Sequence, residues 1–309
     1  MNEKELIEYI KDNRKIRDNS LKVYLANVRK LNDNQPINDL KFLKKTSSII
    51  EKIKEFKLPT QRNYLTSILV ILTKQKKYIK QCEIYKTRLK KLNDEYNEHI
   101  NSHQKTENED KNWTSLKDLK KNVFNYYKRE ISERGLNTKT NLTSKEFDLY
   151  QRFVVVSLYL LIPSIRLDYA NLVVVTSRGH MENKNRNYLL NLSRNKKYFY
   201  INEYKTSDRH GEKEIKISPA LNTILNQWLK FNDNQYLLLN KANQSMSDNV
   251  LSKYITKAFA PSNKNITLNL LRKFWISESV DLEALKRRKQ LAHDMQHSLD
   301  VQEQYIKIN

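Results

Sequence analysis

The stretch NYLLNLSRNKKYFYINEYKTSDRHGEKEIKI, residues 187–217, decides the fold class. Within it, NYLLNL (187–192), YFYINEYKT (198–206) and KEIKI (213–217) are dense in aromatic and β-branched residues, separated by short polar breaks. Such side chains suit a pleated, half-buried surface, so each run reads as a strand. The expectation is a small antiparallel sheet of three strands, with SDRHGE (207–212) as the turn between the last two. Everything around it has helical texture. The chain therefore reads as mainly α with a small antiparallel β-sheet, an α+β fold.

On the N-terminal side, residues 1–103 read as helices throughout. LKVYLANVRKL (21–31) and LKFLKKTSSIIEKIKEF (40–56) place apolar residues at helical spacing. LPTQRNYLTSILVILTK (58–74) is the most apolar of the set, with Pro59 suited to a first turn. A basic amphipathic helix follows over 76–96. QKTENEDKN (104–112) holds no apolar residue and reads as a linker. Beyond it, WTSLKDLKKNVFNYYKREISE opens a second helical run, and Thr143 with Glu146 forms a capping box for a helix that stops before Pro163. Helices resume near Leu221 and continue to the end. The expected domains are thus 1–103, a linker over 104–112, and 113–309.

Composition narrows the function. The 309 residues contain 57 Lys plus Arg against 35 Asp plus Glu, a net charge of +22. An excess of this size, spread along the whole chain, points to a polyanionic partner, and nucleic acid is the first candidate. A single cysteine, Cys82, rules out an internal disulfide or CxxC site. The N-terminus lacks an apolar signal core, and FVVVSLYLLIPSI (153–165) is too short to span a bilayer. These features fit a soluble intracellular protein without a membrane partner. Only 3 Gly and 5 Pro interrupt the chain, which favours helices.

No Gly-rich phosphate loop, paired-Asp magnesium cluster or HExxH is visible. Chemistry on nucleic acid is therefore expected to need no metal, no ATP and no small-molecule cofactor. Metal-free phosphodiester cleavage needs a side-chain nucleophile, cations on the phosphate and an acid for the leaving oxygen. The second half offers Arg166 in LIPSIRLDYANL, Lys205 at the end of the middle strand, Arg272 in ITLNLLRKFW, and His297 and Tyr305 in the closing helix. Eight helical residues rise ~12 Å, so that His and Tyr share a face without lying side by side. Singly, each has a plainer reading: a solvated cation, a capped histidine, a packed tyrosine.

Taken in order, these residues resemble the tyrosine recombinase (phage integrase) family. SIRLDYANLVVV is similar to its first arginine box, LNLLRKFWIS to its second, and MQHSLDVQEQYIKI to its last. The arginines stand 106 residues apart, and 33 residues separate Arg272 from Tyr305. The resemblance covers most of 114–309, and the helical N-terminal half matches the family's core-binding domain less specifically.

The resemblance implies site-specific recombination or integration on double-stranded DNA, of viral or mobile-element type, by a homo-tetramer on paired sites. Tyr305 would form a 3′-phosphotyrosine, Arg166 and Arg272 would clamp the phosphate, Lys205 would protonate the 5′-oxygen, and His297 would bond the phosphate. It also implies a clamp of two domains around the duplex. Two positions depart from the pattern. Asn269 stands where the family has the His of His-x-x-Arg, so its proposed general base is missing there, with His297 and His293 as substitutes. Gln296 stands where a glycine is usual. Only IKIN (306–309) follows the tyrosine, so subunits are expected to meet through other surfaces or through the tyrosine helix itself. Rival readings are a type IB topoisomerase, a non-catalytic DNA-binding relative and an RNA-binding helical scaffold.

Overall fold

The structure is a computed structural model and describes residues 2–305. It divides into two compact units, Met1–Lys105 and Thr106–Asn309.

The first unit holds five helices: α1 (Glu3–Asn13), α2 (Asp18–Leu31), α3 (Thr46–Lys54), α4 (Leu58–Leu72) and α5 (Ile79–Asn101). The run over 40–56 is not one helix. A 3-10 turn at Lys41–Lys44 precedes α3, which starts at Thr46. Helix α4 begins with Pro in its first turn and is the central one, with Leu65, Ile68, Ile71 and Leu72 fully buried. Each such side chain contributes ~1.5–3 kcal/mol by leaving water. Tyr85 of α5 is also fully buried, and its hydroxyl donates to the Leu43 carbonyl at 2.8 Å.

The second unit opens with α6 (Glu107–Asn112), so most of the expected linker is helical. Its polar composition hid a capping box: Thr106 accepts from the Glu109 amide while Glu109 accepts from that of Thr106. The segment is fastened at several points. The Asn265 amide donates to Asn112 Oδ1 at 2.8 Å, and the Leu116 amide donates to Glu278 Oε1 at 2.6 Å. Helix α7 (Leu116–Leu119), a π turn at Lys120–Phe124 and α8 (Asn125–Glu133) follow. Helix α9 (Ser144–Leu160) is capped by the Thr143–Glu146 box and ends before Pro163, as its sequence indicates.

The sheet has four strands, not three, in the order β1 (Val173–Val175), β2 (Tyr188–Ser193), β3 (Lys196–Ile201), β4 (Lys213–Lys216). It is mixed. β2–β3 and β3–β4 are antiparallel, but β1 runs parallel to β2. The three-residue β1 is too short to give an alternation signal of its own. Its outer edge is covered, since the Val174 amide donates to the Gln235 carbonyl and Leu237 donates to the Leu172 carbonyl. Strand β3 stops at Ile201, five residues before the expected end. The chain then turns through α10 (Ser207–His210) and Gly211, whose φ of 65° and ψ of −165° lie in a region essentially restricted to glycine.

Helices α11 (Pro219–Phe231), α12 (Asp248–Ala258) and α13 (Leu268–Ser279) complete the core around α9. Trp228 is fully buried there, its indole N–H donating to the Leu237 carbonyl at 2.9 Å. Helices α14 (Leu282–Asp294) and α15 (Leu299–Tyr305) bury little, Ala292 and Gln302 among them. Among the described residues no helix is long and apolar enough to cross a membrane.

Candidate phosphate-handling site

Arg166 lies in the irregular segment between α9 and β1. Its backbone is pinned from both sides. The fully buried Tyr159 donates its hydroxyl to the Arg166 carbonyl at 3.0 Å, and the Arg166 amide donates to Asp168 Oδ2 at 3.2 Å. Burial pushes the Asp168 carboxyl up, while the Arg166 amide and guanidinium oppose that shift.

Arg272 lies one turn into α13, whose N-terminus is capped by Thr267 accepting from Leu270. Asn269 sits in the first turn, exposed, and lines a cavity of about 390 Å³ together with Arg272. Lys273 and Glu109, which form an ion pair, line the same cavity. Trp275 follows three residues after Arg272 and donates its indole N–H to the Tyr159 carbonyl at 2.9 Å. Tyr159 therefore holds the Arg166 segment with its hydroxyl and the Arg272 helix with its carbonyl.

Lys205 is not on a strand. It stands exposed in the turn between β3 and α10, because the β3 ladder has ended at Ile201. The route to it is nevertheless fixed by Asn187, 3% exposed, at the head of β2. Its carboxamide nitrogen donates to the Asp168 and Glu203 carbonyls, both at 3.0 Å. Its oxygen accepts from the Asn202 and Glu203 amides, both at 2.9 Å. One saturated side chain thus joins the Arg166 segment to the segment that leads to Lys205.

Tyr159 and Asn187 together place the three cation-bearing segments on one framework. The guanidinium groups of Arg166 and Arg272 and the Lys205 ammonium make no hydrogen bond or ion pair with any described residue. Sequence reasoning missed both connecting residues. Tyr159 was one apolar position in a buried helix, and Asn187 was only the first residue of the expected strand over 187–192.

His297 is not on the closing helix, which starts at Leu299; it occupies the turn between α14 and α15. The turn is made by Gln296, whose φ of 58° takes the left-handed conformation. The Gln296 amide donates to the His293 carbonyl and the His297 amide to that of Ala292, both at 3.0 Å, a Schellman closure. This turn shortens the separation expected along a helix. The His297 and Tyr305 rings lie 5.9 Å apart, centroid to centroid, with their planes 20° apart. Side by side is therefore the observed arrangement. His297 Nδ1 lies 3.2 Å from the Ser298 carbonyl. A carbonyl only accepts, so Nδ1 carries the ring proton in the neutral ring and Nε2 holds the lone pair. Nε2 is buried and has no partner. Tyr305 is 69% exposed. His293, the other substitute base, is exposed and faces the Asp294 carboxylate at 3.4 Å. Residues 306–309 lie outside the described part of the chain. Among the described residues no group of three or more His, Cys, Asp or Glu side chains gathers to hold a metal ion.

No family model matches the chain, and no curated protein matches it. Among solved structures, that of XerA recombinase aligns over 98% of this chain and 92% of that one, with 12% identity and a TM-score of 0.35. A likeness at that level leaves the chemistry to be argued from this chain's own residues.

Proposed function

We propose that the protein cuts and rejoins DNA strands through Tyr305, as a site-specific recombinase or integrase acting on double-stranded DNA. The supporting observation is the shared framework of Tyr159 and Asn187, which ties together the three segments that carry Arg166, Arg272 and Lys205 and leaves their cationic heads without a protein partner among the described residues. Guanidinium groups bind phosphate oxygens in bidentate fashion, and a phosphorane-like transition state gains most from such fixed donors. In this reading Arg166 and Arg272 hold the two non-bridging oxygens, and Asn269 adds a neutral donor beside Arg272.

The Tyr305 oxygen attacks phosphorus, the bond to the 5′-oxygen breaks, and a 3′-phosphotyrosine forms. A free phenol, with a pKa near ~10, is a weak nucleophile at neutral pH. His297 Nε2 accepts the tyrosyl proton, taking the role that Asn269 is unable to fill. The resulting imidazolium then donates to the phosphate. Lys205 gives a proton to the departing 5′-oxygen. Attack by a 5′-hydroxyl on the phosphotyrosine reverses each transfer and reseals a strand, so bond energy is conserved and no nucleotide is consumed.

The test is a plasmid carrying two copies of the DNA that flanks the protein's own gene. Wild type should release an excised circle, and Arg272→Ala should release none. Supercoil relaxation of any plasmid without a joined product would instead favour a topoisomerase. Tetramer assembly on paired sites belongs to the same reading and is tested by sizing the protein with and without that DNA.

A further inference from the structure

A second concave surface lies on the second unit, lined by residues other than those of the candidate site. It is built by the solvent face of α8. The core stripe of this region is Leu119, Val123, Tyr127 and Ile131, all buried. The flanking residues Asn122, Asn125, Tyr126 and Arg129 line a cavity of about 690 Å³, with Tyr126 half-buried and its ring edge-on to that of Tyr127. Tyr127 fixes the other wall, its hydroxyl donating to the Ala258 carbonyl at 2.9 Å. That bond seats α8 against the end of α12, so the turn Ala260–Ser262 and Asn263 close the cavity. Asn263 holds a left-handed φ of 57° there. The π turn at Lys120–Phe124 leads into this face, and such local departures from α-helix recur at functional sites.

Tyr126 and Pro261 also line an adjoining cavity of about 320 Å³ that reaches the first half of α9. Lys145 and Lys257 stand on its rim, and Lys121 on that of the larger one. All three lysines are exposed and make no hydrogen bond or ion pair with a described residue. Arg152, by contrast, is committed to Asp148 at 2.7 Å. From Arg152 to the end of α9 is ~12 Å of helix, with Arg166 beyond it. None of the groove's lining residues lines the cavity at Asn269 and Arg272.

We propose that this two-lobed groove binds single-stranded nucleic acid. Bases would seat in the two lobes against the ring of Tyr126, with phosphates on Lys121, Lys145 and Lys257. The composition selects this partner. An aromatic ring between cations offers stacking to any base, and base–aromatic stacking is worth ~1–3 kcal/mol. The carboxamides of Asn122, Asn125 and Asn263 each donate and accept, so they match base edges without demanding one sequence. A duplex keeps its bases stacked inside and unable to enter the lobes. An acidic peptide would use the lysines but leave the tyrosine and the three asparagines without a role. The proposal does not rest on strand cleavage by Tyr305.

The test is fluorescence anisotropy with the full chain, a short labelled oligothymidylate and a matched duplex. Tyr126→Ala should weaken single-strand binding about tenfold, the equivalent of ~1.4 kcal/mol, and leave duplex binding unchanged. Tyr126→Phe should retain wild-type binding. The triple variant Lys121→Gln, Lys145→Gln, Lys257→Gln changes only exposed side chains, and it should lower the salt slope for the single strand by about 2. Single-strand binding unchanged in both Tyr126→Ala and the triple variant would overturn the proposal. So would equal losses for single strand and duplex, or competition by poly-glutamate as strong as that by unlabelled oligothymidylate.

Discussion

Position 269 carries a carboxamide, which neither takes nor gives a proton at neutral pH. In the proposed reading the base is His297, whose ring stacks on Tyr305 and whose Nε2 is buried and without a partner. His297→Phe keeps a ring to stack on Tyr305 and removes the base. Cleavage should fall by roughly 10²–10⁴, the usual range for general base catalysis, and adding Asn269→His should restore part of it in single-turnover assays. No loss in His297→Phe would place the proton acceptor elsewhere. Gln296 is a second residue-scale feature, because its left-handed φ strains an L side chain by ~1–2 kcal/mol. Gln296→Gly relieves this at an entropic cost of ~0.5–1 kcal/mol. Amide exchange across 292–305 should slow by roughly twofold to fivefold, a net gain of ~0.5–1 kcal/mol. The missing glycine was visible in the sequence, but the sequence alone did not show that glutamine would accept the same conformation. The stacking of His297 on Tyr305 was invisible for the same reason. Helical spacing puts them ~12 Å apart, and only the Schellman turn folds one back on the other.

Among the elements, the sheet shows most clearly what sequence patterns carry and where they fail. Strands β2, β3 and β4 announced themselves through Tyr188, Tyr198, Tyr200 and Ile215, aromatic or β-branched residues at short intervals. Strand β1 did not, since VVV before a turn is equally a buried helix end. The end of β3 was misplaced because Tyr204 continues the aromatic pattern after the ladder has stopped. Its hydroxyl instead donates to the Gly211 carbonyl at 2.9 Å, closing the turn that carries Lys205. The polar composition of 104–112 concealed a helix held by Glu109 and Asn112, since capping and tertiary hydrogen bonds leave no hydrophobic trace. Asn187 is the element-scale counterpart, with four hydrogen bonds from one buried carboxamide. Asn187→Ala leaves two backbone N–H groups and two carbonyls without that partner. It should destabilise the second unit by about 2–4 kcal/mol in denaturant unfolding and lower cleavage through the Lys205 turn. A change within measurement error would show that other groups hold that turn.

For the whole molecule, a net charge of +22 makes salt the governing variable. Contacts with 6–10 phosphates give a log–log slope of affinity against salt of roughly −5 to −9 on duplex DNA. Arg166→Ala and Arg272→Ala should each reduce that slope by about 1, whatever the DNA sequence. Net charge was readable from composition, and helical texture and the order of the five candidate residues from the sequence. The framework that joins the segments of Arg166, Arg272 and Lys205 was not, because Tyr159 and Asn187 act through a few hydrogen bonds between segments distant in sequence. The central claim is that Tyr305 is a nucleophile toward DNA. Its most direct test is incubation with nicked duplexes from the flanks of the protein's own gene, resolved on a denaturing gel. Wild type should yield a protein-linked DNA band joined through a 3′-phosphate, and Tyr305→Phe should yield none. The same band persisting in Tyr305→Phe, or none from wild type on duplexes that it binds tightly, would contradict the account.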